Sequence, residues 1–153
     1  DDVWIKQAGW EEHMLKPFKD NPEVGMVGGT GYDWNGIPSF WFVMISKECF
    51  NKVGLLDERF KIFSSDHDYG MRVLQAGFKI AHVSMAPWVG HQFCYTTKKL
   101  KDEKKLMDDA KKVFEQKWGF VNSHKTKTKY VDLSKNVLGD TDLIPGVNYY
   151  TMS

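Results

Sequence analysis

The sequence predicts an α/β layered domain. Short apolar runs alternate with segments of helical period, and Gly, Asn, Pro or Ser punctuates nearly every junction between them. The chain has 153 residues, 42% hydrophobic and 27% charged, which suits one globular domain with a real core. The N-terminal run "VWI" (3–5), directly after Asp1 and Asp2, reads as a strand. In "GWEEHMLKPFKDNP", Trp10, Met14, Leu15 and Phe18 recur at helical spacing, and "DNP" ends the pattern before residue 22.

Two apolar runs follow, "VGMVGG" (24–29) and "FWFVMI" (40–45), both suited to buried strands. The Gly/Asn/Pro loop between them carries Tyr32 and Trp34. Ser46 is placed to cap the helix "KECFNKV", and Gly54 to end it. In "FSSDHDYGMRVLQAG", Ser64 or Ser65 caps a helix to about Gln75, and Gly77 supplies its left-handed terminus. "FKIAHVS" alternates as a strand does. Lys98 to Trp118 is a charged helix with an apolar stripe of Leu100, Met107, Ala110, Phe114 and Trp118. The organisation is thus a folded unit, 1–119, and a tail, 120–153, with no clear period, suited to wrapping the domain or meeting a partner.

Lys+Arg number 21 and Asp+Glu 20, so the near-neutral surface has no bulk attraction for nucleic acid or anionic membrane. Cys49 and Cys94 lack metal spacing and are too few for a disulfide framework, which fits a reducing compartment. No apolar run approaches the roughly 20 residues of a spanning helix, and no signal peptide is visible. The expected location is cytoplasmic, with any membrane association made through a partner. The chain opens without Met on a strand-like run, as a cut through a larger unit would.

Three clusters hold chemistry-bearing side chains. Asp1 and Asp2 are adjacent carboxylates at a strand boundary, suited to a hard divalent cation or simply to a polar end. In Asp66-His67-Asp68, acids in a first helical turn are favoured by the helix dipole, and Asp68 can pair with Arg72 four residues on. Asp66, at the loop-to-helix junction, can instead point into a cleft. The dipole lowers its basicity, while Asp68 and any bound phosphate raise it. His91 follows a Pro-Trp loop, where metal ligation, phosphate contact and a surface role all remain open. No HExxH, GxSxG, P-loop or GxGxxG is present.

The order of these pieces is more specific than any one of them. "DDV", then "GWEEHMLKPFKDNPEVGMVGG", then "FWFVMISKECFNKVGLLDERFKIFSSDHDYGMRVLQAGFKIAHV", then "GH", resembles the second half of a family 2 glycosyltransferase catalytic domain. The resemblance covers about Asp1 to Gly119. It implies a partial GT-A-like (Rossmann-like) mixed sheet flanked by helices, with the N-terminal nucleotide-binding half missing. It also implies an inverting transfer of sugar from a nucleotide-diphosphate sugar to an acceptor hydroxyl. Asp66 would be the base. Asp2, with Asp1, and His91 would hold Mn²⁺ or Mg²⁺ on the diphosphate. Trp34, Trp41 and Asp68 would lie on the substrate side, although core packing also suits Trp41.

One departure is Ser65, where many relatives carry Glu. The larger one is the absent N-terminal half, so the isolated chain is expected to be inactive until a completing chain or a homo-oligomer supplies the rest. The alternative is a non-catalytic carbohydrate- or protein-interaction module on the same fold. A metal-dependent nucleotidyltransferase shares the architecture but explains "VGLLDERF" less well.

Overall fold

A computed structural model of the chain describes residues 3–29, 33–34, 37–92, 97–119, 137–138 and 147–150. Its centre is a mixed sheet in which β2 (Val24–Gly29) and β6 (Lys79–Val83) run parallel. β5 (Val43–Ile45) pairs antiparallel with the outer side of β2 and is the last strand on that side among the described residues. On the other side β9 (Val147–Tyr150) pairs antiparallel with β6, and β8 (Val137–Leu138) follows it. The full order is β5-β2-β6-β9-β8. Two small ribbons stand apart, β3 (Asp33–Trp34) with β4 (Ile37–Pro38), and β1 (Val3–Ile5) with β7 (Val89–His91).

The mixed α/β layering expected from the sequence is therefore present, although the sheet draws two strands from the C-terminal tail. The run 40–45 is strand only from Val43, and β7 follows the Pro-Trp loop in a segment to which the sequence assigned no element.

Helices cover both faces. α1 (Trp10–Asp20) lies on one, where Met14 packs with Val24, Val27, Ala81, Val83, Met85 and Val89. On the other, α2 (Lys47–Val53), α3 (Ser65–Gln75) and α4 (Glu103–Trp118) close over Met26 and Ile80. Tyr69, Val73 and Leu74 of α3 and Ala110 and Phe114 of α4 fill that layer. Met26 and Val27 thus serve opposite layers, as do Ile80 and Ala81, which is the period-2 alternation of a doubly covered sheet.

Val24 and Met26 break this alternation, because they serve opposite layers though two apart. The ladder with β6 shifts register between them. At that shift Gly25 is pressed by Phe78, which would lie 2.7 Å from any added Cβ.

The helix ends follow local chemistry. Ser46 Oγ accepts from the Cys49 N–H at 3.1 Å, and Gly54 turns left-handed at φ 82° to close α2, both as the sequence predicts. Gly77 likewise follows α3 at φ 87°. The start of α3 differs, since Ser64 is itself left-handed (φ 65°) and its side chain makes no cap bond. α4 begins five residues later than expected. Residues Thr97–Lys99 form a separate 3-10 turn before it.

Candidate functional site

α3 precedes β6 and packs antiparallel to it, so the start of α3 lies at the carboxyl ends of the parallel pair β2 and β6. Open α/β sheets gather ligands at this end. Four close approaches tie the region together. At Gly28 an added Cβ would fall 2.2 Å from the Pro38 ring, and at Gly70 it would fall 2.3 Å from Ile37. β4 is therefore wedged between the end of β2 and the second turn of α3. At Gly29 an added Cβ would fall 2.9 Å from the Trp41 ring. Trp41 in turn stacks on His91, with ring centroids 4.7 Å apart and planes 9° from parallel.

Asp66 lies in the first turn of α3 with its side chain 21% exposed. Its Oδ1 accepts from the backbone N–H of His67 at 2.8 Å and lies 3.2 Å from His67 Nδ1. Burial works to raise the Asp66 carboxyl. The hydrogen bond and charge of the His67 ring and the nearby backbone N–H groups outweigh it, so the carboxyl falls below its ordinary value. His67, rather than the helix dipole alone, thus holds Asp66 ionised.

His91 pairs across the β1–β7 ribbon with Val3, the residue that follows Asp2 in the sequence. Asp1 and Asp2 themselves lie outside the described residues. Among the described residues there is no group of three or more His, Cys, Asp or Glu side chains that could hold a metal. His91 is therefore the one expected metal ligand whose surroundings are described, with one ring face against Trp41. Trp34 lies opposite Ile37 at the tip of the β3–β4 pair. Trp41 belongs to the packed layer around Met85 and Val89, as its core reading anticipates, yet its indole Nε1 is buried without a hydrogen-bond partner among the described residues.

Asp68 takes no part in this end of the sheet. It has no exposed surface, and three donors occupy its carboxylate: Arg72 Nε at 3.0 Å, Lys117 Nζ at 2.7 Å and Trp118 Nε1 at 3.0 Å. The substrate-side placement of Asp68 gives way to the Arg72 pairing that the four-residue spacing already suggested. Arg72 continues the network to the carbonyls of Val53 (3.0 Å) and Leu55 (2.9 Å). Lys117 reaches Asp57 at 2.8 Å, and Asp57 also holds Arg59 at 2.6 Å.

The run "VGLLDERF…DHDYGMR", the most specific part of the resemblance, is thus largely a structural clamp joining the α2–α3 loop, α3 and the end of α4. Sequence reading assigned Trp118 to an apolar stripe and missed its indole N–H as a donor. Its signal was a Trp beside a Lys at a helix end, with acids far off in the chain.

Comparison with known protein families, with curated proteins and with solved structures finds no match.

Proposed function

We infer that this chain forms the acceptor side of an inverting glycosyltransferase that uses a nucleotide-diphosphate sugar. Asp66 would accept the proton of the acceptor hydroxyl as oxygen attacks the anomeric carbon and the diphosphate leaves. The observation that carries this reading is positional. The start of α3, with Asp66, and the Trp41–His91 pair belong to the same carboxyl end of β2 and β6, and His91 pairs with the residue next to Asp2.

Asp66 is ionised in this setting, as a base must be, and modest basicity suffices because the proton moves as the new bond forms. His91, held in plane by Trp41, with Asp2 and Asp1, would hold Mn²⁺ or Mg²⁺. That ion would supply Lewis-acid stabilisation of the diphosphate. The donor's base and ribose would be held by a unit outside this chain.

Two measurements test the reading. In the assembled enzyme Asp66→Asn should lower kcat by about 10²–10⁴ with donor binding kept; a wild-type rate would remove Asp66 as base. Calorimetric titration of the chain with Mn²⁺ should show binding weakened about tenfold or more by His91→Ala and by Asp2→Asn. Binding indifferent to both would end the metal assignment. The close engagement of Asp66 with His67 favours a second reading, a carbohydrate-binding module without catalysis. Acceptor binding with no transfer in the assembled protein would select it.

A further inference from the structure

The turn that opens α3 gives up an ordinary cap. A serine before a helix normally takes the N–H of the second or third helical residue on its hydroxyl. Ser64 makes no such bond, and among the described residues it is the one non-glycine in left-handed backbone, at φ 65°. The N–H of His67, which that hydroxyl would take, goes instead to Asp66 Oδ1 at 2.8 Å. The ring of the same residue follows it, with Nδ1 3.2 Å from the same oxygen. His67 thus holds Asp66 twice on one oxygen, once by backbone and once by side chain.

A carboxylate only accepts hydrogen bonds, so Nδ1 carries the hydrogen that points at Oδ1. The two donors fix the orientation of the carboxyl group, and among the described residues no other residue donates to Oδ2. Asp68, two positions on, has the opposite fate. Arg72, Lys117 and Trp118 occupy both of its oxygens, and it has no exposed surface. Asp66 keeps one oxygen unmet and 21% of its side chain exposed. A carboxylate that only joined elements would be satisfied on both oxygens, as Asp68 is. One held on a single oxygen, at the carboxyl end of the sheet, suits a group that takes up a proton.

We propose that His67 is a positioning residue for transfer, its Nδ1–H and backbone N–H holding Oδ1 so that Oδ2 alone meets the acceptor hydroxyl. The hydroxyl O–H bond breaks and its proton passes to Oδ2. The electron pair of that bond forms the new bond to the anomeric carbon, and the bond to the diphosphate breaks with its pair staying on the diphosphate. Oδ1 keeps both donors throughout, so the carboxyl does not turn as its charge is lost. The role rests on the reading of Asp66 as base. The contact itself does not, and it is measured without any transfer.

Carbon-13 NMR of the Asp66 carboxyl, titrated in the chain alone, reads the contact. Burial works to raise this carboxyl; the hydrogen bond from the His67 ring is the largest effect against it, followed by the ring's charge and then the backbone N–H. His67→Ala should therefore raise the midpoint. His67→Asn sets an amide N–H where Nδ1–H stood and should recover part of the fall, whereas His67→Gln, whose amide reaches one bond farther, should behave as the alanine variant does. In the assembled enzyme kcat should drop about ten- to hundredfold in the alanine and glutamine variants and recover with asparagine, donor KM being little changed. The acid limb of kcat/KM should move to higher pH in the first two, because a carboxyl less favoured as its anion is protonated at a higher pH. A merely structural role would rank asparagine below glutamine, the better helix former, and melting temperatures on the same samples report that ranking. Should the alanine variant not fold, the asparagine–glutamine comparison decides alone. A midpoint indifferent to His67→Ala, or equal rescue by asparagine and glutamine, overturns the proposal. Full activity of His67→Ala beside an inactive Asp66→Asn removes the role of His67 and leaves Asp66 as base. A midpoint that moves as expected while Asp66→Asn transfers at the wild-type rate removes the base, and the positioning role with it.

Discussion

Asp57 and Asp68 share one ammonium group, that of Lys117, and this sets much of the expected behaviour at single residues. Hydrogen bonds from Arg59, then from Lys117, hold the Asp57 carboxyl well below the usual carboxylate range, against the opposing effect of burial. A carboxyl depressed in the folded state contributes stability above its unfolded pKa of about 3.9, and that contribution is lost as pH falls below it. Asp66 is depressed too and acts with the same sign. The melting temperature should therefore drop as pH falls through about 4, and Asp57→Asn should lower it at neutral pH while flattening the acid limb. An acid limb unchanged by Asp57→Asn would contradict this account. Asp68 differs because it is fully buried. Asp68→Ala removes the acceptor shared by Arg72, Lys117 and Trp118, leaving Lys117 with Asp57 and Arg72 with two backbone carbonyls, and should cost about 1–3 kcal/mol in urea unfolding. The Asp68–Arg72 half of this clamp was legible in the sequence because a helix fixes the spacing of residues four apart. The Trp118 half was not, since its donor lies 50 residues away along the chain and only the fold brings it near.

At the scale of elements, helices with strong local signals were readable and those set by their neighbours were not. α2 has its Ser cap and Gly terminator where the sequence places them. The start of α3 instead follows a left-handed Ser64, and the His67 N–H that a capping hydroxyl would take goes to the Asp66 carboxylate. The apolar run 40–45 suggested a longer strand. Its first residues leave the ladder because Phe40 packs edge-on to Tyr69, with centroids 5.8 Å apart, while Trp41 turns to His91. Periodicity does not record which neighbour an aromatic ring will choose. β4 is held by absence of bulk, with Pro38 against Gly28 and Ile37 against Gly70. Gly70→Ala should destabilise by about 1–3 kcal/mol through overpacking, and it should also free the β3–β4 ribbon. Faster amide exchange at Ile37 with α3 still helical would be the signature, and wild-type protection there would refute it.

For the whole molecule, the α/β layering was legible in the sequence, and so was the order of helices and strands up to β6, except for the short β3–β4 ribbon, which lies in the run read as a Gly/Asn/Pro loop. The return of the tail to the sheet was not, because "VNYY" carries no period that names β6 as its partner. Removing residues 120–153 would leave β6, buried on both faces, as a bare edge between β2 and solvent. The truncated chain should scatter light on concentration and melt lower than the full chain; equal solubility and melting temperature would show that β9 contributes nothing to the sheet. The pairing of Ile80 with Tyr150 has a further consequence in time. Contacts so distant along the chain raise the contact order and slow folding, since a long loop must close before the ladder rewards it. A ribosome delivers β6 well before β9, so each nascent chain passes through an interval in which that ladder is open to strands of its neighbours.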